Sequence, residues 1–351
     1  MTVDSAAANT ALEPQAVPAE PGPPRPAART PWAMALRIVE QWALLILLGV
    51  VVLFFAVWSR TSSVFFSVDD FRLIGSSQAV LAILALGTIV PLICGQFDFS
   101  VGAVAGLSSV LTAASFAHAH FPLIAGLAVG VAVGAAVGVV NGFVVTRFGV
   151  NAFIATLGSA SVLTGIVNWY TQGLSIIQDI PSSLTDFGSG NWLGIPRTVY
   201  LLVVVALAVY YLLDHTPFGR FLHSVGSNAE AARLVGLRVP RIVFGSFVVS
   251  GTLAGVAGVL LLAQSGAGNP QVGNGLTLTA FSAAFLGATT VRPGRFNVLG
   301  TLVAIFFIAV SITGLTFAGA SNYINDLFTG GALIFAVTIS AQLGRRRMGA
   351  R

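Results

Sequence analysis

The sequence predicts an all-α, polytopic membrane protein of about ten transmembrane helices. Three observations predict it. Of 351 residues, 56% are hydrophobic and only 8% are charged, against roughly 25% charged in a soluble domain. Long apolar runs recur along the chain, separated by short polar turns. The basic residues between those runs fall overwhelmingly on alternate turns, as the positive-inside bias requires.

A helix needs about 20 apolar residues to cross a bilayer. Candidate spans are 38–58, 74–93, 101–117, 122–145, 151–170, 198–213, 242–263, 276–291, 296–317 and 323–343. The third, sixth and eighth are short. With the N-terminus inside, fourteen arginines face the cytoplasm, and only Arg60, Arg72 and Arg197 face out. Dropping one short span spoils that asymmetry, although nine spans with one re-entrant segment are the alternative. The 39 glycines suit close helix–helix approach in lipid.

Residues 1–34 are rich in Pro and Ala and read as a disordered cytoplasmic tail. The apolar run after it is too long and too late for a signal-peptide core, so it reads as a retained span. Residues 35–344 form the transmembrane domain, and 345–351 a basic cytoplasmic tail whose Arg345-Arg346-Arg347 anchors on anionic lipid. Three arginines abutting a span are a poor nucleic-acid site. The outer segments 59–73 and 171–197 read equally well as docking loops for a delivery protein and as plain solvated loops.

Composition also excludes chemistry. All 17 basic residues are arginine. A Walker A loop needs a lysine on the phosphates, so this chain does not bind ATP that way, and a Schiff-base lysine is excluded as well. Any ATP hydrolysis belongs to another subunit. The single cysteine, Cys94, allows no intramolecular disulfide. No Cys, His and carboxylate cluster has metal spacing, and His118 and His120 read as solvated.

One polar interval stands out. Residues 214–241 lie between two apolar runs and carry Arg220, Arg233, Arg238 and Arg241. Within it Asn228-Ala229-Glu230-Ala231-Ala232-Arg233-Leu234 holds strong helix formers. Ser227 or Asn228 suits the N-cap, Glu230 suits the first turn, and Gly236 suits the stop. Pro240 blocks continuation until the next span. The expected object is a short surface helix bracketed by flexible joints. Its Ala231–Ala232 face would enter a groove, with Glu230 and Arg233 at the rim. An interfacial helix on anionic headgroups is the other physical reading.

The string TPFGRFLHSVGSNAEAARLVGLRVPRI, continuing into VSGTLAGVAGVLL, resembles the cytoplasmic coupling loop of ATP-binding-cassette import permeases of the ribose/xylose/arabinose family. GQFDFSVGAVAGL at Gly95–Leu107 and GNGLTLTAFSAAFLGATTVRPGRFNVLGTLVAIFF are similar to that family's other runs. Gln96 and Phe97 depart from its pattern. The resemblance covers residues 40–343 and implies a type II-like importer fold in the bacterial plasma membrane, and the ten-span count with the arginine asymmetry puts both termini in the cytoplasm. It implies three partners: ABC ATPase subunits (two domains, separate or fused), a second permease copy or a homologous permease, and an extracytoplasmic sugar-binding protein. It places Gly226, Asn228, Glu230, Ala231, Ala232, Arg233 and Gly236 in the ATPase-coupling loop. The solute it implies is a monosaccharide or similar neutral polyol, with ATP and Mg bound by partner subunits.

Polar residues inside spans tend to face a cavity or another helix. Asp98 and Ser100 sit between Gly95 and Gly102, where the backbone can break. They read either as caps of a buried bend or, for Asp98, as a plain N-cap near the surface. Asn151, Asn168, Gln264, Asn274 and Asp326 are the other candidates for the pathway, followed by Asn141, Thr156, Ser159, Asn269 and Asn325. Asn141 and Asn151 bracket Arg147 and suit loop backbone as well. Amides and hydroxyls match a neutral polyol. A charged solute, a branched-chain amino acid included, favours exposed helix N-termini or paired charges at the midplane, and no such pair is evident. An ion-coupled secondary transporter needs titratable residues at depth, where only Asp98 and Asp326 are candidates. An embedded enzyme has no supporting motif.

Overall fold

The computed structural model describes residues 31–58, 68–321 and 323–348. The tail 1–30, the segment around Arg60 and the last three residues lie outside the described residues, as do the side chains of Asn274 and Arg345–Arg347. Among the described residues the chain forms α1 (Pro31–Val57), α2 (Val68–Ile93), α3 (Val101–Ala117), α4 (Leu123–Phe148) and α5 (Ala152–Thr171). Next come α6 (Ser182–Ser189), β1 (Asn191–Trp192), β2 (Ile195–Pro196), α7 (Arg197–His215), α8 (Pro217–Ser227) and α9 (Ala229–Leu234). The last are α10 (Val239–Ser265), α11 (Gly273–Gly287), α12 (Val298–Phe317) and α13 (Tyr323–Met348). A helix occupies each of the ten apolar runs. Six are long and apolar enough to cross a membrane by length and composition: Asp70–Ile93, α4, α5, α7, α10 and α12.

Several boundaries differ from expectation. Helix α1 begins at Pro31, inside the stretch read as tail, because proline tolerates the first helical turn. Helix α13 carries the basic cluster on its last turn rather than in a separate tail. The eighth run forms a helix three residues earlier than expected, and Ala288–Arg295 instead makes a tight turn with Val291 at φ 59°. The segment read as a loop at 171–197 contains α6 and a two-residue antiparallel hairpin, a small departure from an all-helical chain.

Helix α10 is the axis of the bundle and packs on α2, α3 and α4. Glycine explains its closest contact. Helix α4 buries Gly126, Gly130, Gly134, Gly138 and Gly142 at four-residue spacing, on one face. A Cβ on Gly134 would run into the Gly251 carbonyl of α10, and one on Gly251 into the Gly134 carbonyl. The two backbones therefore touch, as small residues allow in lipid. The core is otherwise apolar, with Ile83, Leu84, Leu86, Phe247 and Leu260 almost fully covered.

The helices run alternately toward and away from the end that carries α8 and α9. Two irregular seven-residue segments, 94–100 and 266–272, interrupt this order. The first follows α2 at the α8–α9 end and climbs back into the bundle. The second follows α10 at the far end, where Ile176 and Gly268 pair, and descends about two turns along α3 until Gly273 meets Gly102 and Gly106. So α3 and α11 both start inside the bundle, and their N-termini meet there. Order and direction repeat in inverted sense from α2–α5 to α10–α13, the arrangement of inverted-topology repeats.

Candidate functional site

The first break positions the candidate residues. Asp98 is 1% exposed. It lies beside Ser250, the twelfth residue of the 27-residue α10, far from either helix end. Ser250 donates to Oδ2 at 2.8 Å. The Ser100 amide and hydroxyl donate to Oδ1 at 3.1 and 2.6 Å. Asn141 of α4 donates its Nδ2 to Ser100 Oγ at 2.9 Å. Four polar side chains from three segments thus close around the start of α3. A carboxylate suits that place, because the helix N-terminus presents partial positive charge. The geometry departs from a surface N-cap: Ser100, not Asp98, holds the cap position, and its side chain makes no cap bond. Asn141 also departs from expectation, since it serves this buried bend and not loop backbone.

Asn151 sits at the cap of α5 and accepts the Phe153 and Ile154 amides at 3.0 and 3.3 Å. Thr156, one turn on, is fully buried. Its Oγ1 accepts the Phe99 N–H at 2.8 Å. It also stands 3.1 Å from the Phe97 carbonyl and 2.8 Å from that of Ala152, with one proton to share.

The other candidates lie elsewhere. Gln264 donates to the Ser76 carbonyl at 2.7 Å and ties α10 to α2 near the far end. Asn168 accepts from Gln271 at 3.4 Å, also at that end. Asp326 is exposed in the first turn of α13. The structure does not bring these three to the break.

The polar loop is two consecutive helices, not one helix between flexible joints. Thr216 caps α8 and Asn228 alone separates it from α9. Asn228 Oδ1 accepts the Glu230 and Ala231 amides at 3.0 and 2.9 Å. Gly236 ends the motif at φ 85°, a left-handed conformation that glycine adopts without strain. The alanine face is split: Ala232 is buried against the chain itself, while Ala231 is exposed with Glu230 and Arg233. The apolar groups that project from the loop are Leu234 and Val235, 89% and 77% exposed. The sequence signal for them was plain, two large aliphatics just before the glycine stop, but the alanine run obscured it.

The loop and the break meet. Gly226 of α8 lies so close to the Ile93 carbonyl that a Cβ would collide with it. A cavity of about 430 Å³ opens at this end, lined by Gln96 and Phe97 of the break, Asn151 and Phe153 of α5, and Ala229 and Arg233 of α9. His223 of α8 is half-buried beside Asp214, Arg292 and Arg295. Burial, with the Arg295 charge next, pushes its pKa below the usual 6.5, while Asp214 pulls the other way.

A bundle of alternating apolar helices, broken twice at depth, with one polar double-helix loop seated on the first break, defines a multi-pass membrane permease. Residues 71–337 match the family model described as branched-chain amino acid transport system / permease component. The ribose import permease protein RbsC of Haemophilus influenzae is 31% identical over 314 residues, 89% of this chain and 96% of that protein. The RbsC of Escherichia coli K12 is 31% identical over 305 residues, 86% and 94% of the two chains. The autoinducer 2 import system permease protein LsrC of Photorhabdus laumondii is 29% identical over 308 residues, 88% and 92%. No solved structure matches. The chain belongs to this family of import-system permeases, and within it to the ribose-permease relatives.

Proposed function

We propose that this chain is the transmembrane subunit of an ATP-driven importer and carries a monosaccharide or similar neutral polyol across the bacterial plasma membrane in ten crossings. Its termini face the cytoplasm, as the arginine distribution favours. ATP and Mg are bound by two partner ATPase domains, and a second permease copy completes the path. An extracytoplasmic binding protein delivers the solute. This chain is no enzyme and binds no cofactor.

The observation that carries the reading is the seat of α8 and α9 on the break. A partner that grips Leu234, Val235, Glu230 and Arg233 pushes on Gly226, and Gly226 has no clearance from the end of α2. Force at the surface therefore reaches the segment that holds Asp98. The relatives named for ribose favour a sugar over a branched-chain amino acid, although the family description names the latter.

The test is uptake in cells carrying the complete system, with labelled ribose and labelled leucine as probes. Ribose uptake that stops on ATP depletion and survives collapse of the proton gradient is the expected result. Leucine uptake instead moves the solute to the amino-acid class. Uptake that follows the proton gradient sinks the ATP-driven reading.

A further inference from the structure

Side chains of the first break go to two sides. Asp98 enters the bundle toward α10 and α4. Phe97 and Phe99 turn the other way, onto α5 and α11. The Phe99 ring stacks on Phe281 with centroids 5.7 Å apart and meets Phe153 edge-on at 5.5 Å. Phe97 stacks on Phe281 at 6.1 Å, and Phe285 stacks on both. The rings of Phe97, Phe99, Phe153 and Phe281 form a continuous wall, and such contacts add about 0.5–1.5 kcal/mol per pair beyond simple burial.

The members of the wall line two different cavities. On the α8–α9 side lies the cavity of about 430 Å³ already described, with Phe97 and Phe153 in its lining. Phe99 joins Ala103, Ser161, Thr164 and Thr277 around a second cavity of about 420 Å³. The second is lined by hydroxyls that suit a polyol. The first is lined by Gln96, Asn151 and Arg233. The rings are held by packing alone, and Phe281 at their centre is buried.

We propose that Phe97, Phe99, Phe153 and Phe281 are the gate of the solute path on the α8–α9 side, and that Thr156 is its latch. The inference rests on the transport reading above. Thr156 is the only side chain on α5 bonded to the break among the described residues, and it holds the backbone on both sides of Asp98. Helix α5 otherwise packs only lightly, on α3 and α4. Displacement of the break by α8 therefore slides Phe97 and Phe99 against Phe281, with α5 and Phe153 following through Thr156. The gate is apolar and closes by exclusion of water, while the two cavities supply the polar contacts.

The experiment is thiol accessibility in the complete transporter. Ser161→Cys is placed in a Cys94→Ser background and treated with a membrane-impermeant methanethiosulfonate in inverted membrane vesicles. A closed gate dominates when the open state is populated at a tenth or less, so Phe99→Ala should raise the labelling rate of Ser161→Cys about tenfold. Thr156→Val should raise it as well, and Thr156→Ser, which keeps the hydroxyl, should not. Rapid labelling with all four rings intact, or equal rates with and without Phe99→Ala, overturns the gate. An unchanged rate in Thr156→Val overturns the latch. Phe99→Leu, which keeps apolar bulk but loses the ring contacts, gives the same readout where the alanine variant does not assemble. Labelling needs no solute, so a failure of ribose uptake in the parent chain sinks the transport reading and leaves the gate to be judged by its own result.

Discussion

Replacing Asp98 with alanine removes the acceptor for three donors at once. The Ser100 amide, the Ser100 hydroxyl and the Ser250 hydroxyl all point at its two oxygens. They do not suffer equally. A helix hydroxyl can turn back to the carbonyl four residues earlier, as Thr252 does to Val248 at 2.7 Å. The Ser100 amide has no such freedom, because α3 begins after it and water does not reach it. A buried amide without a partner costs about 1–3 kcal/mol. With a small further loss from the two hydroxyls, the total is about 2–4 kcal/mol. For a chain of this size that is a drop of about 3–5 °C in melting temperature. The assay is thermal loss of the monodisperse peak in detergent, for Asp98→Ala, Asp98→Asn and Asp326→Asn. Asp98→Asn keeps one acceptor for the amide and should fall between parent and alanine. Asp326 is exposed, so its variant should lie within about 0.5 kcal/mol of the parent. An Asp98→Ala chain that melts with the parent would refute the buried bend as a structural unit.

Other perturbations follow from the same geometry. Gly138→Leu drives a side chain into the Phe247 carbonyl and should abolish assembly of the α4–α10 pair, while Gly158→Ala, with open space around it, should be silent; membrane expression of the two variants checks this. Asn228→Ala leaves two amides of α9 uncapped and should cost about 1 kcal/mol of local stability, seen as faster amide exchange across 229–234, with Asn228→Asp restoring protection. His223 resists protonation when folded, so its neutral form contributes stability that is complete above about 6.5 and is lost as pH falls through that value toward the lowered folded pKa. Melting temperature should therefore decline as pH falls below about 6.5, and less so in His223→Gln. Leu234→Arg should leave the melting temperature alone, because the side chain is exposed, and should release the ATPase partner in copurification.

What the sequence made legible follows the range of the interactions. Continuous apolar runs report a lipid environment within the run itself, so a helix stands at each of the ten runs, although boundaries such as those of α11 shift by several residues. The Asn228 cap, the Gly236 stop and the first-turn Glu230 are local rules written within nine residues, and each has its expected geometry. The break was half legible. Gly95, Asp98, Ser100 and Gly102 signal a backbone that leaves the helix, but nothing near them names Ser250 or Asn141, which lie 152 and 41 residues away. Depth was illegible for the same reason, since a capping aspartate looks alike at a surface and in a core. The aromatic wall was less legible still: Phe97, Phe153 and Phe281 sit in three unrelated apolar contexts, where a phenylalanine is unremarked. Phe97 was visible only as a departure from the family's pattern, and it is the residue whose ring faces the cavity beside Arg233. An isoleucine there would fill volume but give Phe281 no stacking face. The departure from the family pattern therefore falls on a side chain that lines the cavity at the α8–α9 end and belongs to the proposed gate.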